Sequence, residues 1–388
     1  MKRPTQADIA RALDVSPATV ALVVGKSSSS LRERLSAETI RKIEAKAEEL
    51  GYSPHRGAQM MRKGRSNLIV LLNFSNYSEL TDHKVFEFGR LVHEAGFDFQ
   101  IIDSFFWTDD ARRLVEQIVS LRPEGVAIIG SVQNDFGPEH IERLLKFGIP
   151  LVSMGGRFPG VPLVRYDGRS SFRTLTEWAL DRGRKRLIMV VNPENGLREQ
   201  VRDRLDGFRE AIASRTGQPP ETLDGLSVSK LKKKNGLSAA ILHHRRHRLL
   251  FDPFSQGMEA MEAIAHWQEP PDALLGINDF FAIGALTVCN RRGLRVPDDL
   301  MISGFDNLSY GTQGLVSLTS VEQPIKAMSE ALMELLQEQM TGKTRRTSTP
   351  PERILPCEIF WRESTGARKP TQSPHPANPP EPSLLQAG

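Results

Sequence analysis

The spacing of apolar residues changes near residue 66 of this 388-residue chain. Before that point apolar positions recur every three or four residues, which predicts short amphipathic helices. After it, continuous apolar runs alternate with helical segments, which predicts doubly wound parallel sheets whose strands are buried between helices. Segment 219–250 is interpreted as irregular. We predict strands at 68–73, 98–103, 125–130, 150–154, 186–191, 272–277, 300–304 and 352–361, and helices at 84–95, 109–121, 138–147, 170–181, 198–215, 258–266, 280–292 and 327–340.

Residues 7–24 predict a helix, a three-residue turn and a second helix. Thr5 and Ser16 stand at N-cap positions, and a proline follows Ser16 where a helix begins most favourably. Asp14 occupies the turn, where a positive φ is required and aspartate tolerates it. This is the spacing of a helix-turn-helix, and a third helix at 36–50 completes a small all-α headpiece. Two ordinary small helices of an enzyme are the alternative interpretation of this stretch alone.

The charge of the chain is unevenly distributed. Residues 1–66 carry 13 Lys and Arg against 7 Asp and Glu, whereas the remainder carries 38 against 40. A basic N-terminal module on a nearly neutral body is suited to binding the phosphates of DNA. The loop that follows the second helix contains Lys26, Arg32 and Arg34, and it is interpreted either as a flexible connector or as a source of further phosphate contacts.

Several classes of protein are excluded by composition and motif. No apolar run approaches the ~20 residues of a membrane span, and the N-terminus lacks the apolar core of a signal peptide. Two cysteines, Cys289 and Cys357, are too few for a disulfide framework, so we expect a cytoplasmic protein. We find no phosphate loop, dinucleotide turn, nucleophile elbow or metal-ligand cluster, and therefore expect neither an enzyme nor a cofactor. The proline-rich tail at 366–388 is expected to be disordered.

A basic segment rich in histidine lies within residues 225–250. His243, His244 and His247 stand among arginines, which allows a metal site to be considered. However, no cysteine or carboxylate lies at ligand spacing, so a solvated basic segment is the preferred interpretation. Its purpose is left open.

Several motifs then occur in a fixed order between about residues 5 and 365. They are DIARALDVSPATV, SAETIRKIEAKAEELGYSPH, AQMMRKGRSN, GIPLV, YDG, RLDGF, PPDALLGIND, GLRVPDDLMISGFDN, SLTSVEQP and WREST. Together they resemble the LacI/GalR family of bacterial transcriptional regulators. The resemblance implies a DNA-binding headpiece, a hinge helix and a core like that of periplasmic sugar-binding proteins. It also implies a homodimer, with a tetramer not excluded, that binds a near-palindromic operator under the control of a small effector, which we expect to be a sugar or sugar derivative.

The same resemblance implies how the chain is divided. The headpiece spans 1–53, the hinge helix and linker 54–66, and the effector-binding and dimerisation core 67–365. Within the core, one subdomain comprises 67–183 with 322–342, and the other comprises 184–321 with 343–365. An effector would bind between them, at the carboxyl ends of the strands.

Candidate effector contacts come from two sources. Matching motif positions place the contacts of the family on Asp167, Arg204, Asn278 and Asp306. Phe74 and Trp107 are added because each lies near the end of a predicted strand. Carboxylate, amide and guanidinium groups can bind sugar hydroxyls, and an aromatic ring can cover an apolar sugar face. Alternatively, Asp279 next to Asn278 is a helix N-cap and Asp306 caps a turn.

The positions expected to contact DNA depart from the pattern of the family. The outward positions of the second helix cannot form a bidentate hydrogen bond with a base, although three of them could touch thymine methyl groups. Ser16 and Thr19 could bind phosphates, and Met61 takes the place of the leucine that kinks the operator from the minor groove. The sequence therefore predicts weakened direct readout. The complete set of expected contacts is Thr5, Ser16, Pro17, Ala18, Thr19, Ala21, Leu22, Lys26, Arg32, Arg34, Arg56, Ala58 and Met61.

The leading hypothesis is a repressor whose operator affinity responds to an effector, either by induction or by co-repression. The alternative is a sugar-binding protein with weak or non-specific DNA binding. The basic headpiece favours the first hypothesis.

Overall fold

The computed structural model describes residues 4–24, 35–53, 65–75, 78–103, 110–130, 136–192, 198–225, 231–244, 252–314, 316–342 and 350–367. Several predictions lie outside these ranges. They concern the hinge helix, the tail from residue 368, and Lys26, Arg32, Arg34, Arg56, Ala58, Met61, Trp107 and His247.

The headpiece consists of α1 (Gln6–Leu13), α2 (Pro17–Val24) and α3 (Ala37–Glu49). The backbone N–H and hydroxyl of Thr5 both donate to Asp8 Oδ2, at 2.9 and 2.7 Å, which closes the first turn of α1. Asp14 has a φ of 53°, so the predicted left-handed turn between α1 and α2 is confirmed. The buried side chains of this unit are Ile9, Ala10, Val20, Val23, Ile43 and Ala47.

The first core sheet is six-stranded and entirely parallel, in the order β12-β5-β4-β3-β1-β2. Its strands are β1 (Leu68–Asn73), β2 (Asp98–Asp103), β3 (Gly125–Ile129), β4 (Leu151–Met154), β5 (Leu163–Tyr166) and β12 (Glu352–Leu355). The helices that cover it are α4 (Glu79–Glu94) and α11 (Ile325–Met340) on one face, and α5 (Ala111–Leu121) and α6 (Pro138–Lys146) on the other. All six residues of β1 are buried because both faces are covered.

The second core sheet has seven strands in the order β13-β11-β10-β9-β6-β8-β7, parallel except for β13. Its strands are β6 (Arg186–Val191), β7 (Glu221–Asp224), β8 (Ser238–His243), β9 (Ala273–Leu275), β10 (Met301–Phe305), β11 (Thr319–Glu322) and β13 (Glu358–Phe360). The helices α7 (Gly168–Asp181) and α8 (Glu199–Thr216) pack on one face, and α9 (Pro253–Ile264) and α10 (Asp279–Arg292) on the other.

Two predicted crossings between the subdomains require correction. The prediction placed the first crossing after residue 183, but α7 packs against α8 of the second subdomain, so the chain crosses near residue 167. The prediction also assigned 343–365 to the second subdomain as one strand at 352–361. Instead, β12 pairs with β5 of the first sheet and β13 pairs with β11 of the second. Strand pairing decides to which subdomain each segment belongs, and the pairing partners are remote in sequence.

The segment 219–250 is more regular than predicted. It contributes β7 and β8, and β8 pairs with β6 over six residues from Arg186–Ser238 to Val191–His243. Strand β5 was also not predicted. These strands are short, and lysine-rich or proline-rich stretches next to them mask their apolar runs. No helix in the described part of the chain is long and apolar enough to cross a membrane.

Candidate functional site

A cavity of about 390 Å³ lies between the two core subdomains. It is lined at the carboxyl ends of seven described strands, where doubly wound sheets bind their ligands. The residues that follow these strands in the cavity wall are Phe74 after β1, Gly130 after β3, Asn192 after β6, His244 after β8, Ile277 after β9, Asp306 after β10 and Gln323 after β11. Both subdomains therefore contribute to one site.

Arg204 is fixed in this cavity by α8 and by its neighbours. Its guanidinium donates to the carbonyl of Ile277 and to the hydroxyl of Tyr166, and it lies 3.7 Å from the ring centroid of Phe305. Burial raises the pKa of the Tyr166 hydroxyl to about 12, so this hydroxyl stays protonated. The Arg204 Nε is buried and has no hydrogen-bond partner among the described residues. The site thus holds a rigid cation that still has a donor to offer.

Asn278 and Asp306 line the same cavity as Arg204. Asn278 caps α10, since its Oδ1 accepts from the backbone N–H of Phe281 at 2.9 Å. Asp306 accepts from Gln323 Nε2 at 2.7 Å and has a φ of 109°. Such a backbone conformation in a non-glycine residue is sparsely populated and is found most often at ligand sites. The helix N-cap is therefore Asn278 and not the neighbouring Asp279 that the sequence suggested, and Asn278 also lines the cavity.

The loop that carries Asp306 is held by Asp279. Its two carboxylate oxygens accept from the backbone N–H of Leu308 at 2.7 Å and from the hydroxyl of Ser320 at 2.6 Å. Burial raises the pKa of Asp279 to about 7, because the charged form has lost its water. The carboxylate positions the loop and does not line the cavity.

Phe74 covers the wall on the side of the first subdomain. It is buried at the end of β1, and its ring centroid lies 5.0 Å from that of Phe136. Thr81 and Lys84 of α4 extend this wall. Lys84 was not predicted from sequence. Its helical spacing with the other buried residues of α4 could have indicated it, since the buried stripe consists of Thr81, Lys84, Phe88 and Val92.

Asp167 does not line this cavity. Its side chain instead accepts from the backbone N–H of Ser170 at 2.9 Å and caps α7 at the first crossing. Asp167 therefore does not join the other three matched residues in the cavity wall, and its contact with an effector stays a prediction. Sequence reasoning also missed several polar residues of the cavity wall, namely Arg198, Gln200, His244, Asp252 and Gln323.

The histidine-rich segment contributes one residue to the cavity. His244 lines it, and its Nε2 lies 3.2 Å from Glu259 Oε2. His243 lies at the end of β8 with its Nδ1 3.1 Å from Asp224 Oδ1. Within the described ranges, no three histidine, cysteine or carboxylate side chains are grouped as metal ligands would be.

The headpiece presents a nearly apolar outward surface on α2. Pro17 and Ala18 are exposed, and Ala21 and Leu22 are half-buried. Ser16 Oγ accepts from the backbone N–H of Thr19 at 3.0 Å, so the predicted N-cap of α2 is present. Hydrogen-bond donors that could read bases are therefore absent from these outward positions.

Comparison with known proteins agrees with the fold. Residues 177–365 match a family model described as a periplasmic binding protein-like domain. The lac repressor dimer bound to operator and the anti-inducer ONPF superposes with a TM-score of 0.70 at 20% identity, covering 94% of this chain and 100% of that one. A complex of the transcriptional regulator CelR with cellobiose gives a TM-score of 0.61 at 23% identity, covering 93% of this chain and all of that chain.

Curated relatives align along almost the whole chain. The HTH-type transcriptional regulator CelR of Thermobifida fusca is 25% identical over 94% of this chain and 98% of its own length. The HTH-type transcriptional repressor CytR of Escherichia coli K12 is 24% identical over 94% and 96%. The probable HTH-type transcriptional repressor ExuR of Bacillus subtilis is 26% identical over 86% and 92%.

The fold and the cavity thus define a helix-turn-helix headpiece joined to a periplasmic-binding-protein-like core. The headpiece, the two core sheets and the curated relatives agree with the resemblance that the sequence motifs indicated. Along almost its whole length the chain is similar to these helix-turn-helix transcriptional regulators, and its fold is similar to that of the lac repressor.

Proposed function

We propose that this protein is a repressor that binds a near-palindromic operator as a homodimer and releases or retains it according to a small polyhydroxylated effector. The observation that carries the proposal is the cavity between the subdomains, where Arg204, Asn278 and Asp306 meet. These groups can donate to and accept from sugar hydroxyls, and Phe74 can cover an apolar sugar face. The protein acts in the cytoplasm, where its DNA is, and catalyses no reaction.

The headpiece binds DNA mainly through the phosphate backbone. Residues 1–66 have a net charge of +6 from 13 basic and 7 acidic residues, which favours this contact. Ala18, Ala21 and Leu22 contribute apolar contacts to thymine methyl groups rather than hydrogen bonds to bases. Sequence choice then depends on the loop after α2, on Met61 in the hinge and on the shape of the operator.

Effector binding acts through the angle between the subdomains. Polar contacts already join them around the cavity, including Gln200 Nε2 to the carbonyl of Gly155 at 2.9 Å and the Ser309 hydroxyl to Glu79 Oε2 at 3.1 Å. A ligand that touches both walls favours one arrangement of these contacts over another. Its differential affinity for the two arrangements is the free energy that changes DNA affinity.

Selection of duplexes from a random pool by the full chain should enrich one near-palindromic sequence. Affinity for that sequence should fall by about a thousand-fold or more between about 50 and about 200 mM salt, if at least six phosphates are contacted. Band-shift titrations measure both results. A pool with no enriched sequence would contradict the repressor proposal. Ligand binding that is insensitive to salt, without DNA affinity, would favour the alternative of a sugar-binding protein.

The Asp306→Asn variant should lose most of the effector response. Its carboxylate accepts from Gln323 and faces the cavity, so the amide should weaken effector binding by about 10-fold or more. The measurement is operator affinity with and without each member of a panel of neutral and acidic sugars. Asp298→Asn, at an exposed position outside the cavity, is the matched control and should keep the response. A full response in Asp306→Asn would remove this residue from the site.

A further inference from the structure

Lys84 is an unusual residue for the position that it occupies. It lies on the buried stripe of α4, its relative exposure is 9%, and it forms part of the cavity wall. Among the described residues, none forms a hydrogen bond or a salt bridge with its ammonium group. Burying an unpaired ammonium is costly, so a buried lysine is normally paired or used.

The charges around Lys84 do not neutralise it. Asp306 attracts it electrostatically, but Asp306 is also attracted to Arg204 and accepts from Gln323. Asp252 caps α9 through the backbone N–H of Ser255, at 3.2 Å. His244 is directed to Glu259.

Lys84 therefore lacks a counter-ion of its own among the described residues of the cavity wall, because it shares Asp306 with Arg204. One negative charge from a ligand would pair with it. Burial lowers the pKa of Lys84 to about 8, so its amine is still mainly protonated at pH 7 and can pair with an anion.

We propose that the effector is a sugar acid, whose single carboxylate is bound by Lys84 while its hydroxyls are bound by Asn278 and Asp306. This inference rests on the proposed effector-controlled function and specifies its ligand. A carboxylate is favoured over a phosphate monoester, because one negative charge is enough to pair with Lys84 and a second would be repelled by the nearby Asp306. The carboxylate of the ligand serves as the counter-ion of Lys84. Lys84 is therefore the residue that distinguishes a sugar acid from the corresponding neutral sugar.

The experiment compares matched ligands on the purified full chain. D-glucuronate is titrated beside D-glucose, D-galacturonate beside D-galactose, and D-gluconate beside D-sorbitol, with glucose 6-phosphate and galactose 6-phosphate as further arms. Calorimetry at pH 7 gives the dissociation constants. In at least one pair the acid should bind about 10- to 100-fold more tightly than its neutral partner, as expected for a charge-assisted contact.

Three variants test the residue. Lys84→Met should reduce affinity for the acid by about 10- to 100-fold and so remove the preference over the neutral sugar. Lys84→Arg should keep a preference for the acid, because the charge is retained. Lys185→Met removes an exposed lysine outside the cavity and should leave both affinities unchanged.

Several results would overturn the inference. They are a neutral sugar that binds as tightly as its acid, a phosphate ester that binds more tightly than every acid, an acid preference that survives in Lys84→Met, and no binding by any acid. Operator affinity measured on the same samples separates the two proposals. A neutral sugar that changes operator affinity overturns only the sugar-acid inference, whereas a chain that binds an acid but no operator overturns only the repressor.

Discussion

Replacing Lys84 by methionine is expected to raise the free energy of unfolding at pH 7 by about 3 kcal/mol, at about 1.36 kcal/mol for each pKa unit. Burial of the ammonium, together with the repulsion of Arg204, lowers its pKa from 10.5 to about 8 despite the attraction of Asp306. The charged form is therefore less stable in the folded protein than in the unfolded chain. Methionine fills a similar space without a charge.

The pH dependence provides an independent test of this effect. A base with a lowered pKa destabilises the fold fully below the folded value of about 8, and this cost disappears as the pH rises towards 10.5. The advantage of Lys84→Met over the natural chain should thus be largest at pH 7 and shrink by pH 10. Urea unfolding at both pH values measures it, with Lys185→Met as the control. A less stable Lys84→Met at pH 7 would mean that the ammonium stabilises the fold.

If the loss of the Lys84 ammonium stabilises the fold, this would support a functional role for the lysine. Residues that bind ligands commonly reduce stability, and their removal commonly restores it. A lysine whose role is only structural would give the opposite result. Stability and ligand preference should therefore move in opposite directions in this one variant.

The Gly284→Ala substitution is expected to destabilise the second subdomain by about 3 kcal/mol. Helices α9 and α10 cross where Gly284 faces the carbonyl of Phe254 and Gly257 faces the carbonyl of Phe281. A Cβ on Gly284 would lie 2.1 Å from the Phe254 oxygen, and one on Gly257 would lie 2.0 Å from the Phe281 oxygen. Backbone cannot yield as a flexible side chain can, so the helices must separate.

The higher helix propensity of alanine opposes the destabilisation caused by the steric clash, but its contribution is smaller. Alanine is favoured over glycine inside a helix by about 1 kcal/mol, so packing decides the sign. Urea unfolding monitored by circular dichroism gives the change in stability. Gly311→Ala is the matched control, since its Cβ would meet side chains only at ordinary contact distances, Leu318 at 3.5 Å and Asp279 at 3.9 Å. It should change stability by less than about 0.5 kcal/mol. An unchanged midpoint for Gly284→Ala would show that the crossing can relax.

The same crossing also shapes the effector cavity. Phe254 of α9 and Phe281 of α10 both line the cavity and both lie at the glycine contacts. Separation of the helices would therefore move part of the wall. We expect Gly284→Ala to weaken both effector binding and the fold, whereas Lys84→Met should weaken binding of the acid while it stabilises the fold.

Part of the candidate site was available from sequence, but not all of it. Motif positions placed Arg204, Asn278 and Asp306, and the end of a predicted strand placed Phe74, and all four line the cavity. Asp167 came from the same reasoning and instead caps α7. Lys84 was not singled out, because the helix predicted at 84–95 places it at the first position, whereas α4 begins at Glu79 and Lys84 stands within its buried stripe.

Local patterns determined what depends on neighbours in sequence. The alternation of apolar runs with amphipathic segments was sufficient for the α/β class, and the cap residues with Asp14 were sufficient for the helix-turn-helix, because periodicity and φ preference act within a few residues. Strand order, the crossings near residues 167 and 356, the two strands inside 219–250, and the unneutralised charge at Lys84 were decided only by the tertiary structure. Each depends on partners far away in the chain, and a sequence does not show which of several compatible partners a strand or a charge will meet.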